Sequence, residues 1–346
     1  MMLSTAYFPL TQVQKWLLQA TLMKRDDAVK AWQQWRDHVD IETLDPDSHH
    51  VLSALYPALA RYQVADPHIG RLKGVYRRTW YGNQLLLKRW NVTFEMLAKA
   101  GIETVLLGEM ALLAACYQDF GARTFTQLDL LMSPSATQHA LEILAQIGWH
   151  RLGYKPDFAK RLYHPITLKG PNGFLLRLYN HLFWAEPQDH TDQQLWDKAT
   201  FTTINSRSVR VLSPVDQLLM MSLKINQGPL IASPGGVETQ RQHFYYLADA
   251  TFIVGAITTE TEWVRLLAQA QRYEIILPLR YLLAELQAQF EIDIPDWVLP
   301  GLRKMAISYH ELLTYRLLSD DRLLRLKAQL VKLRHQWRQL TRSSVP

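Results

Sequence analysis

The 346-residue chain is 48% hydrophobic and 20% charged, with only 15 Gly and 16 Pro, which excludes a disordered, collagen-like or low-complexity polymer and leaves ample material for a core. A single cysteine, Cys116, cannot close an intramolecular disulfide, no stretch reaches the roughly 18 apolar residues of a membrane span, and no basic-then-apolar leader opens the sequence, so a cytoplasmic location is expected. The formal charge of +6 is too small to announce a polyanion binder.

Up to about residue 100 the pattern is helical. Apolar residues recur at spacings of three and four in Val13, Trp16, Leu17 and in Ala28, Trp32, Trp35, with Asp45-Pro46 and Asp66-Pro67 as breaks. Leu72 to Leu97 continues this pattern and carries Arg71, Lys73, Arg77, Arg78, Lys88 and Arg89 with no acid between Asp66 and Glu95. Ile102 to Leu107 then reads as a buried strand, and Gly108 opens a helix through Met110, Leu113 and Tyr117. Thr126 to Met132 is a second strand. Ser135 to Ile147 is a helix stopped by Gly148. Arg161 to Leu168 and Phe174 to Tyr179 flank Asn172-Gly173, a hairpin signal, and Phe201 to Ile204 with Val209 to Leu212 form a shorter pair. From Ser213-Pro214 the chain reads as helical to its end.

The C-terminal segment is distinctive. Leu323, Leu326, Leu330, Leu333, Trp337 and Leu340 form a stripe at alternating spacings of three and four, and Arg303 to Arg342 holds ten basic residues against three acidic. Its simplest role is a helix docked on the body; self-association and an acidic partner such as nucleic acid are the alternatives. Gly-x-Ser-x-Gly, His-Glu-x-x-His, Walker and Gly-x-Gly-x-x-Gly motifs are all absent from the sequence.

The order strand, Gly-led helix, acidic strand, helix, hairpin resembles the nucleotidyltransferase fold. More narrowly, the blocks RLKGVYRRTWYGNQLLL (71–87), AGIETVLLGEMALLAACYQDFGARTFTQLDLLMS (100–133), LEILAQIGWH (141–150), LSPVDQLLM (212–220) and YLADATFIV (246–254) resemble an uncharacterised bacterial family known as the fifth NTP-transferase group. The resemblance implies an α+β protein with a mixed-sheet core at 101–212, an N-terminal helical lobe at 1–100 and a C-terminal helical lobe at 213–346.

In such enzymes two carboxylates at i and i+2 share one face of a strand, a third comes from its neighbour, and together they hold Mg²⁺ against a nucleoside triphosphate. The family pattern is Lys-Gly at the turn, Arg before an Asp-x-Asp strand, and Asp-x-His at the end of the hairpin. Here those positions fall on Gly108-Glu109, on Arg123 after Gly121, on Gln127 and Asp129, and on Arg177 and Tyr179, with His181 leaving the hairpin register open. A further family His falls on Lys224, whereas Asp249 is retained.

Asp129 is thus the expected catalytic and metal-binding remnant, with Gly108, Gly121, Arg123, Gln127 and Arg177 around the substrate phosphates. Gln is a weaker ligand for a hard cation and Arg is none, so a standard Mg²⁺ site is not expected, and Arg177 is expected to pair with Asp129 in the metal's place. Each residue also has a structural reading. Asp129 is a buried carboxylate satisfied by Arg123 or Arg177, Glu109 favours a helix dipole, Asp249 and Cys116 are core groups, and His49-His50 sits at a surface helix start.

Three functions follow. The first is a catalytically impaired member that binds a nucleotide, a protein or peptide client, or a partner. The second is an active transferase using NTP and Mg²⁺ on an unidentified acceptor. The third is a scaffold whose basic C-terminal helix contacts an acidic partner.

Overall fold

A computed structural model of the chain describes residues 10–152, 165–183, 192–227 and 244–312. Four helices come first: α1 (Gln12–Leu22), α2 (Arg25–His38), α3 (Pro46–Arg61) and the long α4 (Ile69–Lys99). The starts of α1 and α3 are chemically marked. Thr11 and Gln14 form a reciprocal capping box on α1, and Asp45 accepts the Asp47 and Ser48 N–H groups ahead of Pro46 on α3. After α4, Gly101 at φ +69° turns the chain into the sheet.

The sheet has seven strands: β1 (Val105–Leu107), β2 (Gln127–Leu131), β3 (His150–Arg151), β4 (Ile166–Lys169), β5 (Leu175–Tyr179), β6 (Thr200–Ile204) and β7 (Arg207–Val211), in the order β3-β4-β5-β2-β1-β7-β6. It is mixed. β2 runs parallel to β5 and β1 parallel to β7, whereas β1–β2, β3–β4, β4–β5 and β6–β7 are antiparallel. The protein is therefore α+β. β1 is shorter than the expected Ile102 to Leu107, because pairing with β2 begins only at Val105. The 172–173 turn does close β4 onto β5, with Gly173 at φ +84°. Residues 153–164, and with them most of the expected strand from Arg161, lie outside the described residues.

Between strands lie α5 (Gly108–Leu112), which widens into a π-turn over Leu113–Tyr117, then α6 (Pro134–Gln146) and α7 (Gln193–Lys198). After β7 come α8 (Pro214–Gln227), α9 (Tyr245–Gly255), α10 (Glu260–Arg272), α11 (Ile276–Phe290) and α12 (Val298–Lys304). The basic segment from residue 313 onward lies outside the described residues.

Strand alternation divides the core in two. Leu106, Leu128, Leu130, Leu176 and Leu178 pack with Leu87, Trp90, Phe94 and Leu97 of α4 and with Ile143 and Leu144 of α6. Val105, Leu107 and Leu131 belong to the other cluster, where Leu17, Trp32, Leu52 and Leu55 of the N-terminal helices meet Leu218, Leu247, Ile253, Leu279 and Leu283 of the C-terminal ones. The two helical segments, 200 residues or so apart in sequence, thus share one hydrophobic core. Asp129, two residues before Leu131 on β2, projects to this second side.

Candidate functional site

The sheet register sets up the site. Leu107, Asp129 and Arg177 lie directly opposite one another on β1, β2 and β5, and Thr167 of β4 extends the row. Side chains in such a row share a face, so a carboxylate and a guanidinium on neighbouring strands must meet. They do so through two parallel bonds: Arg177 Nε donates to Asp129 Oδ1 at 2.7 Å and Nη2 to Oδ2 at 2.6 Å. Burial disfavours a charged Arg177, but the Asp129 charge outweighs it and holds the guanidinium pKa far above its ordinary value. Arg177, not His181, stands opposite Asp129. His181 follows β5 and bonds Asp192 through Nδ1 at 2.7 Å.

Gly108 completes this corner. Its φ of +64° is glycine territory, and a Cβ there would stand 2.7 Å from Asp129 Oδ2. The β1–α5 turn thus lies against the carboxylate of Asp129. Gln127 shares Asp129's face two residues earlier and is half-buried.

Arg123 departs from one of its expected roles. It does not pair with Asp129. Its Nε and Nη2 bond the two oxygens of Asp249 on α9, both at 3.1 Å, Nη2 also reaches Glu109 Oε1 at 3.2 Å, and Nη1 donates to the Thr124 carbonyl at 2.6 Å. The Tyr245 ring lies 4.7 Å from the guanidinium carbon, and Tyr117 donates to Asp249 Oδ1 at 2.8 Å. The physical reason is placement: Arg123 lies in the loop before β2, beside α9, while Arg177 already saturates Asp129.

Glu109 is correspondingly more than a dipole partner. It accepts from Arg123 and from the Thr126 N–H at 3.2 Å. Burial alone raises its pKa; the Arg123 and Lys224 charges and the Thr126 bond outweigh burial and hold it below the ordinary value. Lys224 itself lies over the Tyr246 ring at 4.3 Å.

Gly121 has a packing reason, since a Cβ there would fall 2.2 Å from the Tyr76 ring, and its N–H bonds Asp119. His50 is half-buried rather than on the surface: Nδ1 lies 2.9 Å from Thr124 Oγ1 and the ring 4.8 Å from that of Tyr245. Cys116 lies 3.6 Å from Gln217 Oε1, and burial pushes its thiol up to about 12, which makes it inert as a nucleophile at neutral pH. No local pattern signals that Asp249 pairs with Arg123, because 126 residues separate them.

The donor set does not suit Mg²⁺. Both Asp129 oxygens are engaged by Arg177, Gln127 is neutral, and Glu109 is engaged by Arg123 and Thr126. Among the described residues, no three His, Cys, Asp or Glu side chains are grouped to hold a metal ion.

A mixed sheet in which β2 lies between β1 and β5, with Asp129 beside a glycine turn and helices closing that face, defines a nucleotidyltransferase-fold protein. The chain belongs to a family described as uncharacterised nucleotidyltransferases, whose sequence model matches residues 47–291. No curated protein matches the sequence. Among solved structures it is similar to ANT(2'')-Ia in complex with adenylyl-2''-tobramycin, at 13% identity over 55% of this chain and 99% of that one, with a TM-score of 0.40. It is also similar to an antigenic nucleotidyltransferase-like protein from Paracoccidioides brasiliensis, at 18% identity over 65% and 96% of the two chains and a TM-score of 0.38. The lincosamide adenylyltransferase LnuA, solved with lincomycin bound, matches at 16% identity over 49% and 97%, with a TM-score of 0.32.

Proposed function

We propose that this chain is a nucleotidyltransferase-fold binding protein in which internal ion pairs occupy the place of the catalytic metal. The observation that carries this reading is the bidentate Arg177–Asp129 pair, which engages both oxygens of the one carboxylate left at the three metal-holding positions of the family pattern. A metal ion would have to displace a guanidinium already fixed by two charge-assisted bonds. Glu109 and Asp249 are likewise balanced by Arg123, with Lys224 near Glu109. The face is neutralised by side chains, so it can receive a nucleotide, a peptide or a partner surface without assembling the two-metal chemistry of transfer.

The test has two arms. Purified protein is incubated with each of the four ribonucleoside triphosphates and Mg²⁺ or Mn²⁺, and pyrophosphate is measured; release above background is not expected. Release that vanishes in Asp129→Asn overturns the proposal in favour of an active transferase. In the second arm, Gln127→Asp combined with Arg177→Asp rebuilds the carboxylate set, and calorimetry is expected to show Mn²⁺ binding that the unmodified protein lacks.

A further inference from the structure

The second basic segment of the sequence is α4, and nothing in the candidate site uses its outer side. Its inner side is fully engaged: Leu87, Trp90, Phe94 and Leu97 are buried against the sheet. The outer side is also apolar. Trp80, Tyr81, Leu85 and Val92 are 46, 62, 44 and 52% exposed, and these four are half of the eight large hydrophobic side chains exposed among the described residues. The other four, Phe201, Val264, Trp297 and Tyr309, are scattered along the chain from 201 to 309. A surface helix ordinarily has one apolar stripe; this one has two, and only one is covered.

The periodicity makes the outer residues other than Trp80 a line rather than a scatter. Tyr81, Leu85, Lys88 and Val92 advance by four, three and four residues, which places them on one ridge, about 17 Å long at 1.5 Å per residue. Arg77 and Arg78 precede the ridge, Lys88 sits within it and Arg89 lies beside it. Arg77, Arg78 and Lys88 are exposed and make no ion pair among the described residues, while Arg89 stacks over Phe174 at 5.1 Å. Glu95 is the only acid on α4, and Arg207 holds it at 3.0 Å.

We infer that the outer ridge of α4 seats on an anionic lipid surface, its aromatic and aliphatic side chains entering the headgroup region while Arg77, Arg78 and Lys88 pair with lipid phosphates. Three features favour this occupant. Tyr is a residue that settles at a membrane interface, and flanking Arg and Lys supply attraction to anionic headgroups. A nucleic acid would use the cations and the aromatic rings but would leave Leu85 and Val92 without a contact that favours them. A second copy of the chain would bring the same positive ridge against itself. The α4 helix is not a membrane span, and no helix among the described residues is long and apolar enough to be one.

The experiment is vesicle co-sedimentation of the full chain, using phosphatidylcholine vesicles with and without 30% phosphatidylglycerol, in low and moderate salt. Binding is expected only to the anionic vesicles and to weaken with salt. Arg77→Glu/Arg78→Glu/Lys88→Glu is expected to lower it at least tenfold, since each basic residue near such a surface is worth roughly fivefold. Tyr81→Ser/Leu85→Ser is expected to lower it severalfold while circular dichroism and the thermal midpoint stay unchanged. Equal recovery with neutral and anionic vesicles, or none with either, overturns the inference. So does binding that survives the α4 variants and is lost on Lys327→Glu/Lys332→Glu/Arg334→Glu in the C-terminal basic segment. Loss of binding to a 30-nucleotide single-stranded DNA in the α4 variants, without vesicle binding in the parent, would reassign the ridge to nucleic acid and equally overturn it.

Discussion

Two arginine centres lie on the same side of the sheet, and they differ in what they join. Arg177 and Asp129 are neighbours across β5 and β2, which backbone ladder bonds already hold together, and their side chains are 12 and 8% exposed. Arg123 and Asp249 are 3 and 1% exposed and connect the loop before β2 to α9, elements with no ladder between them, while Glu109 brings in α5. The first centre joins two strands that the sheet already holds together. The second fastens the sheet to the C-terminal helices.

The largest expected effect is therefore at Arg123. Arg123→Ala strands two buried carboxylates and leaves the Tyr117 hydroxyl on an unbalanced partner, at a cost of about 3–5 kcal/mol in urea unfolding. Arg123→Lys is expected to recover little, since one ammonium cannot match the forked contacts to Asp249 and still reach Glu109. The pH dependence adds a second readout. Glu109 has a folded pKa below its ordinary 4.5, so its stabilising contribution is complete above about pH 4.5 and lost as pH falls through the lowered folded value. Arg123→Ala is expected to flatten that acid limb.

A smaller effect is expected at the other centre. Arg177→Ala leaves Asp129 beside solvent it can partly reach, so the cost is about 2–3 kcal/mol. Replacing both members, Arg177→Met with Asp129→Leu, is expected to be nearly neutral in unfolding assays. A double replacement as damaging as Arg123→Ala would mean that the β2–β5 pair is also a fastening, and the contrast between the two centres would fail.

Gly108 tests the corner between them. Gly108→Ala puts a Cβ 2.7 Å from Asp129 Oδ2 and imposes φ +64° on an alanine, for about 1–2 kcal/mol together. The carboxylate can swing, so the cost is expected to fall when Asp129→Ala is added. Additive costs, measured as unfolding free energies in a double-mutant cycle, would show that the two positions do not press on each other.

The contrast also tracks what could be read in the chain. The Asp129–Arg177 pairing was accessible because strand alternation and a family pattern placed both residues on one row, and period two leaves little freedom once the register is known. Of the two partners expected for Asp129, Arg123 turns instead to Asp249, since nothing periodic links position 123 to 249. The same limit applies to His50 with Thr124 and to Gly121 with Tyr76: each is a contact between elements that packing, not local pattern, brings together. Most strand and helix identities are legible from hydrophobic period; the short β3 and α7, the place of β7 beside β1, and the core shared by the first and last helices are not.

Glu311 is a buried carboxylate with no ion pair of its own among the described residues, and only the more distant Arg280 charge favours its ionised form. Glu311 Oε1 accepts the Leu277 N–H at 2.6 Å at the start of α11, and Oε2 has no partner. Burial, aided by the nearby Glu274 charge, pushes its pKa up to about 7. The sign is opposite to that of Glu109. The folded state holds this proton more tightly than the unfolded chain, so the stabilising contribution is complete below about pH 4.5 and lost as pH rises through about 7. Glu311→Gln keeps an acceptor for Leu277 without a charge to bury, and is expected to leave stability unchanged at pH 4.5 while raising it modestly at pH 8. Thermal midpoints across that window check this directly: a variant curve parallel to the parent's would show that Glu311 is ionised at no cost, and that a buried carboxylate in this protein does not require the directly paired cation that Asp129, Glu109 and Asp249 each possess.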